Sequence, residues 1–413
     1  MLALLLLLSF AGSSIAPASV LDKDSDSHRD ILTVTPRSNF GVDARMQKNL
    51  DFWVSIYSKY YTYQGLIHDA KYVDHVYEVL DLRGKRESRV TRDAKAKWRD
   101  ILMSVHHKQN HPEKMNAQEK RIYEMYADVS EPDKFLAAAH RRRLRFQLGQ
   151  KDRFLEGYIQ SGRYLPRMEE IFRREGLPVE LTRLPFVESS FNTKAKSKVG
   201  ASGIWQFMRS TGKLFLKIND AVDERNDPIR ATEAAAKLLR MNYESLRSWP
   251  LAVTAYNHGR KGMMRAVRKV GSDELEDLVG SYHARSFGFA SSNFFTELLA
   301  AIETERNAQQ YFGNVERAKP KEYIEAEIPE AVNLKELAGI LHMDVLKLKD
   351  LNPGVFDAVF KGKTMLPATY RLRIPYDGGV SKDAALRIFL AGFNQIPSLY
   401  KQRGRRHAKY GNR

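Results

Sequence analysis

Leu184-Pro185-Phe186-Val187-Glu188-Ser189-Ser190-Phe191, followed by Gly200-Ala201-Ser202-Gly203-Ile204-Trp205-Gln206-Phe207-Met208, is the stretch on which the reading of this chain turns. Just upstream, Leu177-Pro178 opens a helix, because a proline in the first turn gives up no hydrogen bond the helix would have made. Glu188 falls near the end of that helix, among Leu184, Phe186, Val187 and Phe191. Those apolar neighbours would desolvate its carboxyl group and raise its pKa, the property a general acid needs. Between Leu181 and Lys217 it is the only carboxylate, against seven lysines and arginines. The Glu-Ser pair alone carries no information, since it recurs at Glu87-Ser88 and Glu244-Ser245 without this setting.

Outward from this stretch the pattern stays helical. Leu165, Met168, Ile171 and Phe172 recur at helical spacing, and Gly176 would end that helix. Pro228 opens an alanine-rich helix, Pro250 opens another that runs to Asn257, and Phe294 to Thr304 reads as a further one. Residues 155–310 are therefore expected to be all-helical. Residues 41–150 read as a mostly helical N-terminal region. Met46, Leu50, Trp53, Ile56, Tyr57 and Tyr60 mark its first helix. Thr91–His107, Asn116–Ala127 and Pro132–Leu148 follow, and Tyr72 to Leu80 reads as a lone strand. Residues 320–376 form a small mixed module. Tyr323–Ile328 and Tyr370–Ile374 alternate like strands around two short helices, Leu334–Leu341 and Val345–Leu351, broken at Asn352-Pro353-Gly354. A helix and a basic tail make up 377–413. The fold class predicted is mainly α.

The 413 residues are 43% hydrophobic and 28% charged, which suits a soluble chain of two or three domains and excludes wholesale disorder or a multi-span membrane protein. There is no cysteine, so disulfides, thiolate metal sites, a catalytic thiol and a Cys-linked lipid are excluded. No Walker A loop, G-x-G-x-x-G or H-E-x-x-H motif occurs, and no metal or organic cofactor is expected. A net charge of +17 favours anionic partners, and the segment Lys401 to Arg413 supplies six of those positive charges. Leu2 to Ala11 is apolar but too short to cross a bilayer, and Ala16-Pro17-Ala18 has the small-x-small form of a signal-peptidase site. This predicts a signal peptide over 1–18, a linker over 19–40, and an exported protein without a lipid anchor. Export argues against nucleic acid as the partner.

Glu188-Ser189, Gly203-Ile204-Trp205-Gln206 and Ala255-Tyr256-Asn257-His258-Gly259 stand in the order and at the spacing of a known domain. Over 155–310 the chain resembles the lytic transglycosylase domain of the soluble-transglycosylase and goose-type-lysozyme superfamily (glycoside hydrolase family 23). It is most similar to the membrane-bound lytic transglycosylase D group. The resemblance implies a lysozyme-like helical catalytic domain acting on peptidoglycan glycan strands in the periplasm. It further implies cleavage of the MurNAc-β-1,4-GlcNAc bond with formation of 1,6-anhydro-MurNAc ends. Glu188 matches the single catalytic acid/base and Ser189 its companion. Ser197, Gln206 and Met208 match positions lining the sugar cleft, and Tyr256 and Asn257 the motif that shapes the site around the acid. There is one departure. The family's Glu-Thr-x-x-Tyr-Val segment is here Ala290-Ser291-Ser292-Asn293-Phe294-Phe295, with Phe294 in the tyrosine's place. Residues 322–375 resemble a degenerate LysM-like unit, best matched at Leu351-Asn352-Pro353. That implies either a module binding N-acetylglucosamine-containing glycans, and so a peripheral wall attachment, or a structural cap on the catalytic domain. Two other functions remain open: a lysozyme-type peptidoglycan hydrolase, and a catalytically weak cell-wall-binding protein.

Overall fold

The computed structural model describes residues 40–402, apart from Val42. The expected signal peptide, residues 19–39 of the linker and the tail beyond Gln402 lie outside the described residues. Eighteen α-helices dominate the described chain, in line with the mainly α expectation. In order, the N-terminal region holds α1 (Gln47–Ser58), β1 (Gln64–Asp69), β2 (Val76–Asp81), α2 (Glu87–Lys108), α3 (Ala117–Met125), α4 (Lys134–Ala139), β3 (Leu144–Leu148) and α5 (Lys151–Ser161). The middle holds α6 (Leu165–Arg174), α7 (Leu184–Ser189), α8 (Arg209–Gly212), α9 (Pro228–Leu246), α10 (Trp249–His258), α11 (Arg260–Val270), α12 (Leu275–Ser281), α13 (Phe289–Arg306) and α14 (Ala308–Phe312). The C-terminal part holds β4 (Tyr323–Glu327), β5 (Ala331–Val332), α15 (Leu334–Ile340), α16 (Val345–Leu351), α17 (Asp357–Phe360), β6 (Arg371–Pro375), α18 (Lys382–Asn394) and β7 (Lys401–Gln402). Among the described residues no helix is long and apolar enough to cross a membrane.

The described chain divides into two compact units. One contains residues 160–238 and everything from 317 onward. The other contains the chain up to 159 together with 239–316.

In the unit of 40–159 and 239–316, a three-stranded antiparallel sheet runs in the order β2-β1-β3. Its core joins Ile67 of β1 to Trp98 and Leu102 of α2, and to Tyr126 and Phe135. Two expectations are corrected here. The lone strand expected over 72–80 is β2, and it pairs with β1. The helix expected over 132–148 is helical only at Lys134–Ala139; Leu144–Leu148 is β3, placed by pairing with β1. That pairing is a tertiary choice that overrides local preference. Helix α13 begins at Phe289, ahead of the expected Phe294. Its first turn looks like a loop because Ser and Asn compete locally for backbone partners. Here those side chains are satisfied instead: Asn293 Nδ2 donates to Phe289 O at 2.9 Å, and Trp53 Nε1 of α1 donates to Asn293 Oδ1 at 3.1 Å.

In the other unit, the single helix expected from Pro178 is broken. Val179–Arg183 is a 3-10 turn, and α7 starts afresh at Leu184. Pro185 is the cause: it has no N–H for a continuing α-helix, and its ring would strike the carbonyl one turn back. In the C-terminal part, β4 and β6 pair antiparallel with Ile324 opposite Ile374. The expected strand–helix–helix–strand order is present, with β5 added after β4 and α17 before β6. Asn333 and Asp344 cap α15 and α16 through side-chain acceptors. Asn352, fully buried after α16, donates to Leu348 O and Arg373 O at 2.7 Å and accepts from Arg373 N at 2.9 Å. The core of this part includes Ile324, Leu337, Leu348 and Leu372, Phe389 and Phe393 of α18, and also Ala221 and Val222.

Candidate active site

Helix α7 is six residues long and ends abruptly. Ser190 and Phe191 both take left-handed backbone, at φ 50° and 54°. Such a conformation costs a non-glycine residue about 1–2 kcal/mol, so the surroundings must hold it. Phe191 is buried edge-on against Phe186 at 4.7 Å. Glu188 is thereby left on the last turn, half-buried. Ser189 ties this turn to the next motif: its Oγ donates to Ile204 O at 2.9 Å and approaches Pro185 O at 3.3 Å.

The loop that receives it is packed around Trp205. That indole is fully buried, lies parallel to Phe172 at 6.0 Å, and donates from Nε1 to Thr232 Oγ1 at 2.9 Å. Gly203 has φ 77°, and a Cβ there would stand 1.8 Å from Arg225 O, so no other residue fits. Gln206 is again left-handed, at φ 47°. Its Nε2 donates to Gly203 O at 2.8 Å and Ala195 O at 3.3 Å. Ser197 Oγ accepts from Ala201 N at 2.9 Å. Met208, 39% exposed, precedes α8 as its N-cap. Glu188, Ser189, Ser197, Gln206 and Met208 thus belong to one connected stretch of this unit.

Arg225, Asp223 and Asn226 clasp this loop. Arg225 is buried and donates from Nη1 to Gly200 O at 2.8 Å and Phe207 O at 3.1 Å. Asp223 orients it through Nε and Nη2 at 2.9 and 2.7 Å. Asn226 Oδ1 accepts from Ser202 Oγ at 2.6 Å. One more arginine in so basic a chain reads as surface charge, and no local signal marks Arg225. Asp227, directly before the Pro228 that opens α9, accepts from Ile229 N and Arg230 N at 2.9 and 3.0 Å and so caps α9. Burial pushes its carboxyl up, but the charge and hydrogen bonds of Arg373 outweigh that and hold it below the ordinary value.

The remaining site residues lie in the other unit. Tyr256, on α10, is half-buried and faces the buried Phe294 of α13, with ring centroids 6.4 Å apart and planes within 4°. Phe295 turns instead toward Phe40, at 6.3 Å. Asn257 Oδ1 accepts from Ser291 Oγ at 2.8 Å. Three residues beyond Phe294, buried Glu297 has its pKa pushed up to about 8 by desolvation, against the opposing pull of Arg145. Arg145 lies over the Phe289 ring at 3.8 Å. His68, beside the same phenylalanine at 5.8 Å, is driven down to about 3 by burial and by Arg145. Among the described residues no group of three or more His, Asp and Glu side chains could hold a metal ion.

Residues 169–279, which hold Glu188, the loop and the Tyr256-Asn257 pair, match the family model for the transglycosylase SLT domain. The chain is 28% identical over 196 residues to the membrane-bound lytic murein transglycosylase D of Escherichia coli (strain K12), a match covering 47% of this chain and 42% of the relative. The protein of the same description from Escherichia coli O6:H1 (strain CFT073) matches equally, at 28% identity over 47% of this chain and 42% of its own. The match therefore spans less than half the length of these relatives. The stretch 169–279 is thus similar to a transglycosylase SLT domain, in a chain similar over 47% of its length to lytic murein transglycosylases of the D type.

Proposed function

We propose that the protein is an exported peptidoglycan lytic transglycosylase that cuts the MurNAc-β-1,4-GlcNAc bond and leaves 1,6-anhydro-MurNAc ends. The observation that carries this is the tie between Glu188-Ser189 and the Gly203–Gln206 loop inside the matched domain. Ordinary glycosidases need two carboxylates, one acid and one base or nucleophile. One carboxylate suffices if it works twice. Protonated Glu188 gives its proton to the glycosidic oxygen as the C1–O bond breaks. The resulting carboxylate then takes the proton of the muramoyl C6 hydroxyl, and that oxygen closes on C1. No water enters, because an internal hydroxyl held near C1 outcompetes bulk solvent. Gln206, Ser197 and Met208 would border the sugar, and Tyr256, Asn257 and Phe294 keep the roles the resemblance implies for them. The net charge of +17 suits a wall polymer bearing anionic stem peptides and lactyl groups, and favours peripheral attachment in the periplasm.

The test is digestion of purified sacculi with residues 19–413, with the soluble muropeptides weighed by mass spectrometry. Anhydro ends are expected, and Glu188→Gln should lower their release by several orders of magnitude while the protein stays folded. Near-wild-type turnover by that variant sinks the assignment of Glu188. Products heavier by one water with reducing ends would make the enzyme a hydrolase, and binding with no soluble product would make it a wall-binding protein.

A further inference from the structure

Segment 217–227 lies between two partners inside one unit. On one side it is joined to the C-terminal part. Arg373, on β6, meets Asp227 with both terminal nitrogens: Nη1 to Oδ2 at 2.7 Å and Nη2 to Oδ1 at 2.9 Å, with both residues buried. Asp223 N donates to Gly354 O at 2.7 Å, Phe356 N to Ala221 O at 3.0 Å, and Lys217 Nζ to Thr369 O at 2.6 Å. Ala221 and Val222 sit in the core of the C-terminal part. Glu325, on β4, braces the pair by facing Arg373 Nε at 3.6 Å and bonding Arg230 Nη2. On its other side the same segment supplies Arg225 and Asn226, which hold Gly200 O, Phe207 O and Ser202 Oγ. The loop those atoms belong to receives the Ser189 hydroxyl at Ile204 O.

We infer that the C-terminal part is a built-in support of the active-site loop, and that Arg373 is a positioning residue acting on Glu188 through Asp227, Arg225 and Ser189. The role given to Glu188 rests on the function proposed above. A buried ion pair adds little net stability, but a two-pronged guanidinium–carboxylate contact fixes direction and register. Lysine in its place keeps the charge and loses the fork. A purely stabilising pair would leave turnover per folded molecule unchanged once the protein is kept well below its unfolding midpoint. A positioning pair would not.

The experiment uses the full exported chain and two readouts. The first is hydrogen exchange without substrate. Arg373→Lys should raise exchange in peptides covering 200–208 and 224–227 by tenfold or more, and leave peptides covering 64–81 unchanged. The second is turnover on a short soluble glycan. The kcat of Arg373→Lys should fall at least tenfold, KM should stay within twofold, and the alkaline limb of the kcat profile, set by loss of the Glu188 proton, should shift. Glu325→Gln, a neutral isostere, should move both readouts in the same direction by less, and it keeps the test open if the lysine variant fails to fold. Lys382→Ala, which breaks an exposed ion pair with Glu322 in the same part of the chain, should move neither. Unchanged exchange at 200–208 in a folded variant overturns the inference, as does unchanged kcat beside a mere drop in melting temperature. If the wild type shows no turnover, the proposed function fails, while the exchange data still decide whether Arg373 supports the loop.

Discussion

Phe294, expected from the resemblance to stand in a tyrosine's place, offers a ring without a hydroxyl. It lies flat against Tyr256, whereas Phe295 packs toward Phe40, so the two neighbours give opposite predictions. Truncation of either buried ring leaves a cavity and should cost about 3–5 kcal/mol of stability. Only Phe294→Ala should also lower turnover per folded molecule on sacculi, because only that ring supports Tyr256. Phe294→Tyr should retain turnover if its hydroxyl finds an acceptor; a buried hydroxyl without one would cost about 1–3 kcal/mol and show as a lower melting temperature. Equal effects of Ala at 294 and 295 on turnover would remove Phe294 from the site. Glu188 and Gln206 were legible at this scale because each belongs to a motif with fixed spacing. Arg225 was not, since its partners are backbone carbonyls that only the folded loop presents to it.

At the scale of elements, the C-terminal part was expected either to anchor the protein to the wall or to cap the catalytic domain. The shared core with Ala221 and Val222 and the buried Arg373–Asp227 pair argue for a segment that the domain around Glu188 cannot shed. Removing residues 317–413 would open that core to solvent and take away the Arg373 that pairs with Asp227. Residues 19–316 should therefore be insoluble or lack a cooperative melt, and should lose cleavage of a short soluble glycan along with sacculus binding. A truncated protein that melts cooperatively, cuts the soluble glycan at the full rate and merely fails to pellet with sacculi would restore the anchor. The elements themselves were readable wherever apolar residues recur at helical spacing, as in α1, α2 and α6. The break at Pro185 and the strand β3 were missed for different reasons. The first was a local signal left unused; the second depends on β1, nearly eighty residues away in sequence.

At the scale of the whole chain, two buried groups in the unit of 40–159 and 239–316, Glu297 and His68, pull the pH dependence of stability in opposite directions. Glu297 titrates near 4.5 when unfolded and near 8 in the fold, so the folded state binds the extra proton and stability falls as pH rises from 4.5 to 8. His68 titrates near 6.5 when unfolded and near 3 in the fold, so its contribution is present above 6.5 and is lost as pH falls toward 3. The two slopes oppose each other between 4.5 and 6.5, and His75 and His258, also held below the ordinary value by burial, add to the His68 slope. Urea midpoints followed by tryptophan fluorescence suit this test, because Trp53, Trp98 and Trp249 lie in that unit and Trp205 does not. Glu297→Gln, an isostere of the protonated side chain, should abolish the fall above pH 6.5 and leave the acid limb in place. An unchanged alkaline limb would show that Glu297 does not set it.

The amino-acid sequence by itself determined the helical class, the order of motifs and the position of Glu188. Those properties depend on periodicity, proline placement and spacing between neighbours along the chain. Only the tertiary structure decided which ring meets Tyr256, where β3 pairs, and how the active-site loop is held. Each of those is a contact between residues remote in sequence: Arg373 and Asp227 stand 146 positions apart, and Trp53 and Asn293 stand 240 apart. A buried charge pair leaves no periodic trace, because either member read alone is one more charged side chain. Its meaning arises when folding removes water from both at once and each stands in for part of the other's solvent.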